Sequence, residues 1–230
     1  MEISVIIPTL NEAQYIRQCI RRLQSKSTAL EILVVDGGST DETVAIAKEE
    51  GAIVFEVSKK CRAFQMNFGA KMAQADMLYF VHGDALPPAT FADDIEQASL
   101  EGFPMGRFRF RFDSPKLMLK INSWFTKFDK LWVSGGDETL FIEKELFERL
   151  GGYDEDFAIM EEYDLVLRAR EIAPYKVIQK DVLVSARKYD QNSWLRVQKA
   201  NLKAFKMFKN GVSSSEIRQT YYAMIQHPKQ

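Results

Sequence analysis

The chain has 230 residues, 46% of them hydrophobic, and a formal net charge of −1. That length can bury a full core as one large domain, or as one domain with an appendage. The balanced charge gives no argument for bulk electrostatic binding of nucleic acid. Two cysteines, Cys19 and Cys61, form neither a disulfide framework nor a zinc spacing, which suits a reducing cytoplasm. The N-terminus MEISVIIPTLNE has no basic region before its short apolar run, so no signal peptide is expected. No segment approaches the length of a membrane span.

The first third alternates between two periods. Ile3 to Ile7 is a short β-branched run, after which Tyr15, Ile16, Cys19, Ile20 and Leu23 recur at helical spacing. Ile32 to Val35 is a second strand. Ser39-Thr40-Asp41-Glu42 reads as a capping box opening a second helix, with Gly51 as its stop. Ala52 to Val57 is a third strand, Arg62 to Met72 a third helix, and Met77 to Val81 a fourth strand. Strands without polar alternation, separated by helices, indicate a parallel sheet covered on both faces.

After Leu100 the pattern changes. Arg107, Arg109 and Arg111 alternate with Phe108, Phe110 and Phe112, as expected of an antiparallel strand with one solvated face. Helical stretches follow at 115–128, 143–150 and in MEEYDLVLRAR, strand material in VIQKDVLVSARKY, and an amphipathic basic helix from Asn192 to Phe208 with a short one after Ser213. The expected architecture is α/β, a mixed and mainly parallel sheet flanked by helices with a C-terminal helical tail. The expected division is a domain over 1–190, with a nucleotide-binding part (1–100) and an acceptor part (101–190), and a tail over 191–230.

Ligands of open parallel sheets sit beyond the carboxyl ends of the strands. Three such ends carry polar clusters: Pro8 to Glu12, Asp36 to Asp41, and His82-Gly83-Asp84. No G-x-G-x-x-G and no G-x-x-x-x-G-K-[ST] is present, which disfavours a dinucleotide fold and a phosphate-cradling loop. Acids on that rim suit a base, ribose hydroxyls, or a hard cation such as Mg²⁺ or Mn²⁺ that in turn holds phosphates.

SVIIPTLNE, VVDGGSTDET, an apolar strand running into HGD, and MEEYDL stand in the order found in family 2 glycosyltransferases of the GT-A (Rossmann-like) fold, which this chain resembles from Ile3 to about Tyr189. Gln65-Met66-Asn67-Phe68-Gly69-Ala70 is similar to a stretch of the radical-SAM/selenodomain-associated transferase subgroup. The resemblance implies inverting transfer of a sugar from a nucleotide-diphosphate sugar to an acceptor hydroxyl. It implies that Thr9, Glu12 and Asp36 hold the nucleoside with Arg62 and Asn67 nearby. It further implies Asp84 on a divalent metal (Mn²⁺ or Mg²⁺), Glu162 as general base, and Gly135, Gly136 and Asp137 along the sugar or acceptor. Two positions depart from the family pattern. His82 stands where an aspartate opens the metal motif, and Glu162 stands where the base is usually aspartate.

Helical geometry tests the base separately. At about 100° per residue, Glu161, Asp164, Arg168 and Glu171 fall on a solvated side, and Leu165, Val166, Leu167 and Ala169 spread over the other, with Glu162 among them. A carboxylate on an apolar face needs a compensating role, because burying it costs several kcal/mol unless it is satisfied. His82 is expected to orient the metal site in preference to ligating, with a plain structural histidine as the alternative; alternation puts it on Asp84's side if the strand continues that far. Arg187 is expected to be either a surface residue or a positive charge for the diphosphate.

The tail helix places Trp194, Val197, Ala204, Phe205 and Phe208 on one face and Arg196, Lys199, Lys203 and Lys206 on the other. Packing onto the domain is the favoured reading, and peripheral contact of 192–208 with the inner face of a membrane, serving a lipid-linked acceptor, is the alternative. The rival functions are a non-catalytic nucleotide-sugar binding module and a nucleotidyltransferase. An inward acid is superfluous in the first. The second lacks the glycine-rich basic loop that should follow strand one.

Overall fold

The computed structural model describes residues 1–25, 30–131 and 138–226. These form an eight-stranded sheet in the order β3-β2-β1-β4-β7-β6-β8-β5. Its parallel half is β1 (Ile3–Thr9), β2 (Leu30–Asp36), β3 (Ile53–Glu56) and β4 (Met77–Phe80). Antiparallel pairing begins where β7 (Leu140–Glu143) lies against β4, and β6 (Met105–Phe112) against β7. Beyond it, β8 (Tyr175–Val184) runs parallel to β6 and carries the short antiparallel β5 (Ala85–Leu86). The strand expected to be antiparallel is therefore antiparallel on one side and parallel on the other.

Alternation along β1 sends side chains into two cores. Val5 and Ile7 join α1 (Ile16–Gln24) and α4 (Phe91–Leu100), with Phe108 and Phe110, on one face. Ile6 meets α3 (Arg62–Met72), α6 (Lys144–Arg149) and α7 (Glu161–Arg170) on the other. Burial on both faces is why the central strands show no polar alternation. Gly69 lets α3 sit close, since a Cβ there would stand 2.5 Å from Ile6 Cγ2.

The helix after β2 is α2 (Thr43–Glu49), and it starts later than the capping box required. Its N-cap, Glu42, makes no side-chain cap bond. Asp41 instead accepts from the Thr43 amide (3.0 Å) and the Ala13 amide (3.1 Å), and Ser39 is drawn back to Asp36. The would-be capping residues are spent on tying the loops after β1 and β2 together.

The row of arginines on β6 is not uniformly solvated either. Arg107 is wholly buried, Arg109 half-buried and Arg111 exposed. α5 (Leu117–Phe125) covers the outer part of this strand: the Thr126 hydroxyl donates to the Phe110 carbonyl and the Phe112 amide donates to Ser123 Oγ. The chain ends in α8 (Lys188–Gln191), α9 (Trp194–Lys209) and α10 (Ser214–Met224). The apolar face of α9 turns inward, burying Val197, Ala200 and Ala204 and setting Phe205 and Phe208 against the Tyr163 ring.

Candidate active site

The ends of β1 and β2 are in register, Thr9 beside Asp36. The Asp36 carboxylate accepts from Thr9 Oγ1 (3.0 Å), from the Gly38 amide (2.9 Å) and from the Ser39 amide (2.7 Å). Gln65, assigned no role of its own from the sequence, stitches the two strands from below through Nε2 bonds to the Thr9 and Val35 carbonyls at 2.8 and 2.7 Å. Asn11 holds a left-handed φ of 54° and accepts from the Thr40 amide at 2.9 Å, closing one loop over the other.

Two carboxylates converge on one guanidinium beside this rim. Arg187 donates to both oxygens of Glu12, each at 2.9 Å, and its Nη2 lies 2.8 Å from Asp84 Oδ2. The Tyr15 ring stacks below the guanidinium at 4.8 Å. Arg187 is thus part of the rim and not a surface arginine. A cavity of about 360 Å³ opens here, lined in part by Tyr15, Asp84, Lys116 and Arg187.

Glu162 belongs to a second cavity. Met160, with a left-handed φ of 72°, turns the chain so that α7 begins on Glu161 and Glu162. Both acids meet Arg62 at the start of α3. Nη2 stands 2.9 Å from Glu162 Oε1 and 3.1 Å from its Oε2, and Nε donates to Glu161. Glu161 is buried against Arg62, so it does not face solvent as the helical wheel implied. The wheel placed it opposite the apolar stripe, but a wheel says nothing of distant elements, and here Arg62 of α3 packs against this turn.

Burial pushes the Glu162 carboxyl up to about 8; Arg62 opposes the rise and Glu161 adds to it. The cavity is narrow, about 10 Å³, room for roughly one water. His82, Glu138 and Tyr153 line it with Glu162.

Glu138 and Tyr153 escaped sequence reasoning, and Arg107, which pairs with Glu138, was expected on a solvated face. Glu138 is buried with its Oε2 3.2 Å from Arg107 Nε. Arg107 also donates to the Phe108 and Phe128 carbonyls at 3.3 and 3.0 Å. The Tyr153 hydroxyl is buried with no hydrogen-bond partner among the described residues. Asn67 is spent on that tyrosine's backbone, donating to its carbonyl (2.8 Å) and accepting from its amide (2.9 Å). An arginine in a Phe-alternating strand was the available signal for Arg107. It read as solvated because alternation cannot show that a loop carboxylate waits on the polar face.

β4 ends at Phe80, and the chain turns at once, the Ala85 amide bonding the His82 carbonyl at 3.0 Å. Strand alternation therefore does not reach Asp84, and His82 and Asp84 line different cavities. Among the described residues no cluster of three or more His, Cys, Asp or Glu could hold a metal. Asp84 is already paired with Arg187 at 2.8 Å, so a hard cation on this carboxylate would have to take most of its oxygens from a bound phosphate. Gly135, Gly136 and Asp137 lie outside the described residues.

A curled, mainly parallel sheet with ligand-type side chains at its carboxyl rim defines the GT-A architecture. Residues 4–130 match the profile of glycosyl transferase family 2, and the chain belongs to that family. It is 32% identical over 99 residues to a dolichyl N-acetyl-alpha-D-glucosaminyl phosphate 3-beta-D-2,3-diacetamido-2,3-dideoxy-beta-D-glucuronosyltransferase of Methanococcus voltae, covering 39% of this chain and 31% of that protein. It is 27% identical over 203 residues to the succinoglycan biosynthesis protein ExoA of Rhizobium meliloti, covering 77% of this chain and 60% of that one. The chain thus spans 31% and 60% of the length of these relatives. Staphylococcus aureus TarS 1–349 in complex with UDP-GlcNAc shares the fold, with a TM-score of 0.68 at 16% identity over 97% of this chain and 71% of that one. So does mannosyltransferase PcManGT of Pyrobaculum calidifontis in complex with GDP-Man and Mn²⁺, with a TM-score of 0.66 at 20% identity over 96% and 68%.

Proposed function

We propose that this chain transfers a sugar, with inversion, from a nucleotide-diphosphate sugar to an acceptor hydroxyl, and that Glu162 is the base. The observation that carries the reading is the buried Glu162 carboxyl, raised to about 8 and aimed into a cavity. A general base works best with a pKa near the operating pH. In a single in-line displacement the acceptor oxygen attacks the anomeric carbon while its proton passes to Glu162. As that bond forms, the C–O bond to the diphosphate breaks and the nucleoside diphosphate leaves with the electron pair. Arg62 holds the carboxylate in place, its Nη2 within 3.1 Å of both oxygens. Inversion follows from base and leaving group acting on opposite sides of the carbon.

Thr9, Glu12 and Asp36 are assigned to the nucleoside, with Arg62 and Asn67 behind them and Gly135, Gly136 and Asp137 along the sugar or acceptor. Arg187 supplies positive charge next to the leaving diphosphate. A divalent cation held by Asp84, with His82 orienting that turn, would offset the same charge when bound. Complexes of the fold neighbours with UDP-GlcNAc, and with GDP-Man and Mn²⁺, support the donor class and the metal. The dolichyl phosphate in the name of the Methanococcus relative supports a lipid-linked acceptor. The Gln65–Ala70 stretch supports placement with the radical-SAM/selenodomain-associated transferases. We also assign residues 1–190 to the transferase domain and 191–230 to a tail.

Thermal shift against a panel of nucleotide-sugars, with and without Mn²⁺, identifies the donor. Glu162→Gln is then expected to bind that donor normally and to lose at least about 100-fold in transfer. Full activity in the variant sinks the assignment.

A further inference from the structure

α5 is an apolar helix that buries almost none of itself. Its sequence is LMLKINSWF, and Leu119 is its one buried residue. Leu117 is 70% exposed and Trp124 53% exposed, and Met118, Ile121 and Phe128 are exposed with them. Leu117, Ile121, Trp124 and Phe128 recur at steps of four, three and four, so they form one stripe. The stripe is organised: the Trp124 ring meets those of Phe125 and Phe128, each at 5.1 Å between centroids. Exposed residues of this size normally occur singly, and a contiguous group of them marks an interaction surface.

The cations beside the stripe say what covers it. Lys127 Nζ sits 3.8 Å above the Trp124 ring, and Lys120 and Lys130 are exposed and make no ion pair among the described residues. The nearby Asp129 is taken by Arg170, and Asp190 lies beside Lys116. A second copy of the chain docking on the same stripe would bring these lysines against their own counterparts, which disfavours a symmetric dimer. An anionic surface pairs with them instead. A nine-residue helix is about 14 Å long, and no described helix is long and apolar enough to cross a membrane. The composition of this stripe, Trp, Phe and Leu with lysine alongside, is that of a helix lying in the plane of a bilayer interface.

We propose that α5 docks the protein onto an anionic lipid bilayer, with Leu117, Ile121, Trp124 and Phe128 entering the headgroup boundary and Lys120, Lys127 and Lys130 facing acidic headgroups. The apolar face of α9 is spent on packing and is not the docking element. The proposal stands without the transfer chemistry, but the two regions are connected. Arg107 bonds the carbonyl of Phe128, three residues beyond α5, and pairs with Glu138 at the Glu162 cavity. Docking by α5 would therefore hold that cavity close to the bilayer.

The test is vesicle flotation of the full chain with phosphatidylcholine alone and with phosphatidylcholine containing 30 mol% phosphatidylglycerol. The wild type is expected to float with the anionic vesicles and to lose at least tenfold of that partitioning in high salt or on neutral vesicles. Ile121→Ser/Trp124→Ser is expected to lose at least tenfold, with a melting temperature near wild type because both residues are exposed. Lys120→Ala/Lys130→Ala, which leaves the apolar stripe intact, is expected to lose about 25-fold, roughly fivefold per lysine. Lys199→Ala/Lys203→Ala on α9 is expected to float like wild type. Absence of flotation, unchanged flotation in both α5 variants, or loss only in the α9 variant overturns the proposal. So does a wild-type dimer that Ile121→Ser/Trp124→Ser dissociates, which would give the stripe to a second copy.

Discussion

Replacing Glu162 with glutamine should change how the fold's stability depends on pH, and the size of the change follows from the site. The carboxyl is raised from 4.5 to about 8, with burial the leading cause. At about 1.4 kcal/mol per pH unit, that rise corresponds to about 5 kcal/mol between the protonated and ionised forms. Arg62, partly open to water, lets solvent reach the pair, so about 3 kcal/mol is the realistic size. The folded state holds this proton more tightly than the unfolded chain does. The wild type therefore has the full contribution below about pH 4.5 and has lost it once the pH passes about 8. Glutamine does not titrate, so the variant gains on the wild type as pH rises through that window. For a chain of this size, about 2–4 °C accompany each kcal/mol, and the melting temperature of Glu162→Gln minus that of wild type should climb by roughly 6–12 °C between pH 5 and pH 9. Calorimetry or circular dichroism melts of both proteins in matched buffers measure it, with no substrate needed. A difference that stays flat across that range would refute the raised carboxyl, and with it the main physical support for Glu162 as base.

Transfer by the wild type should rise with pH and level off near 8, as Glu162 ionises, when kcat/KM is followed with the identified donor. Arg107→Met removes the guanidinium beside the buried Glu138 and two bonds to backbone carbonyls. It should cost about 3–5 kcal/mol in a urea melt, as expected for breaking a buried ion pair from one side; a loss under 1 kcal/mol would mean that the pair is solvated in solution. Gly106→Ala should disrupt pairing of β6 with β8, because the new Cβ would stand 2.2 Å from the Lys176 carbonyl oxygen. A loss of at least about 3 kcal/mol, read from the same melt, is expected there.

The parallel half of the sheet was legible in the chain, because strands buried on both faces are written as unbroken apolar runs and their helices by a 3.6-residue period. The helix Arg62–Met72 falls at the boundaries the period sets, and β1, β2 and β4 differ from their expected ends by a few residues at most. The inward turn of Glu162 was legible too, since a helix wheel needs only local geometry. What a wheel or a strand alternation cannot supply is the partner on the far side. Arg62 lies 99 residues from Glu161 and draws it out of solvent. Glu138 lies on another strand's approach and buries Arg107. Arg187 arrives from 175 residues away to bridge Glu12, and Asp84 with it. Each of these charges reads from sequence as solvated or as ligand-facing, because a lone charge prefers water. Only the tertiary fold brings an opposite charge close enough to offset the cost of burial. At α5 the helix expected within 115–128 is present, but the sequence did not show that its apolar stripe would lie uncovered. Periodicity marks an apolar face, and only the packed structure shows that the described residues leave it uncovered.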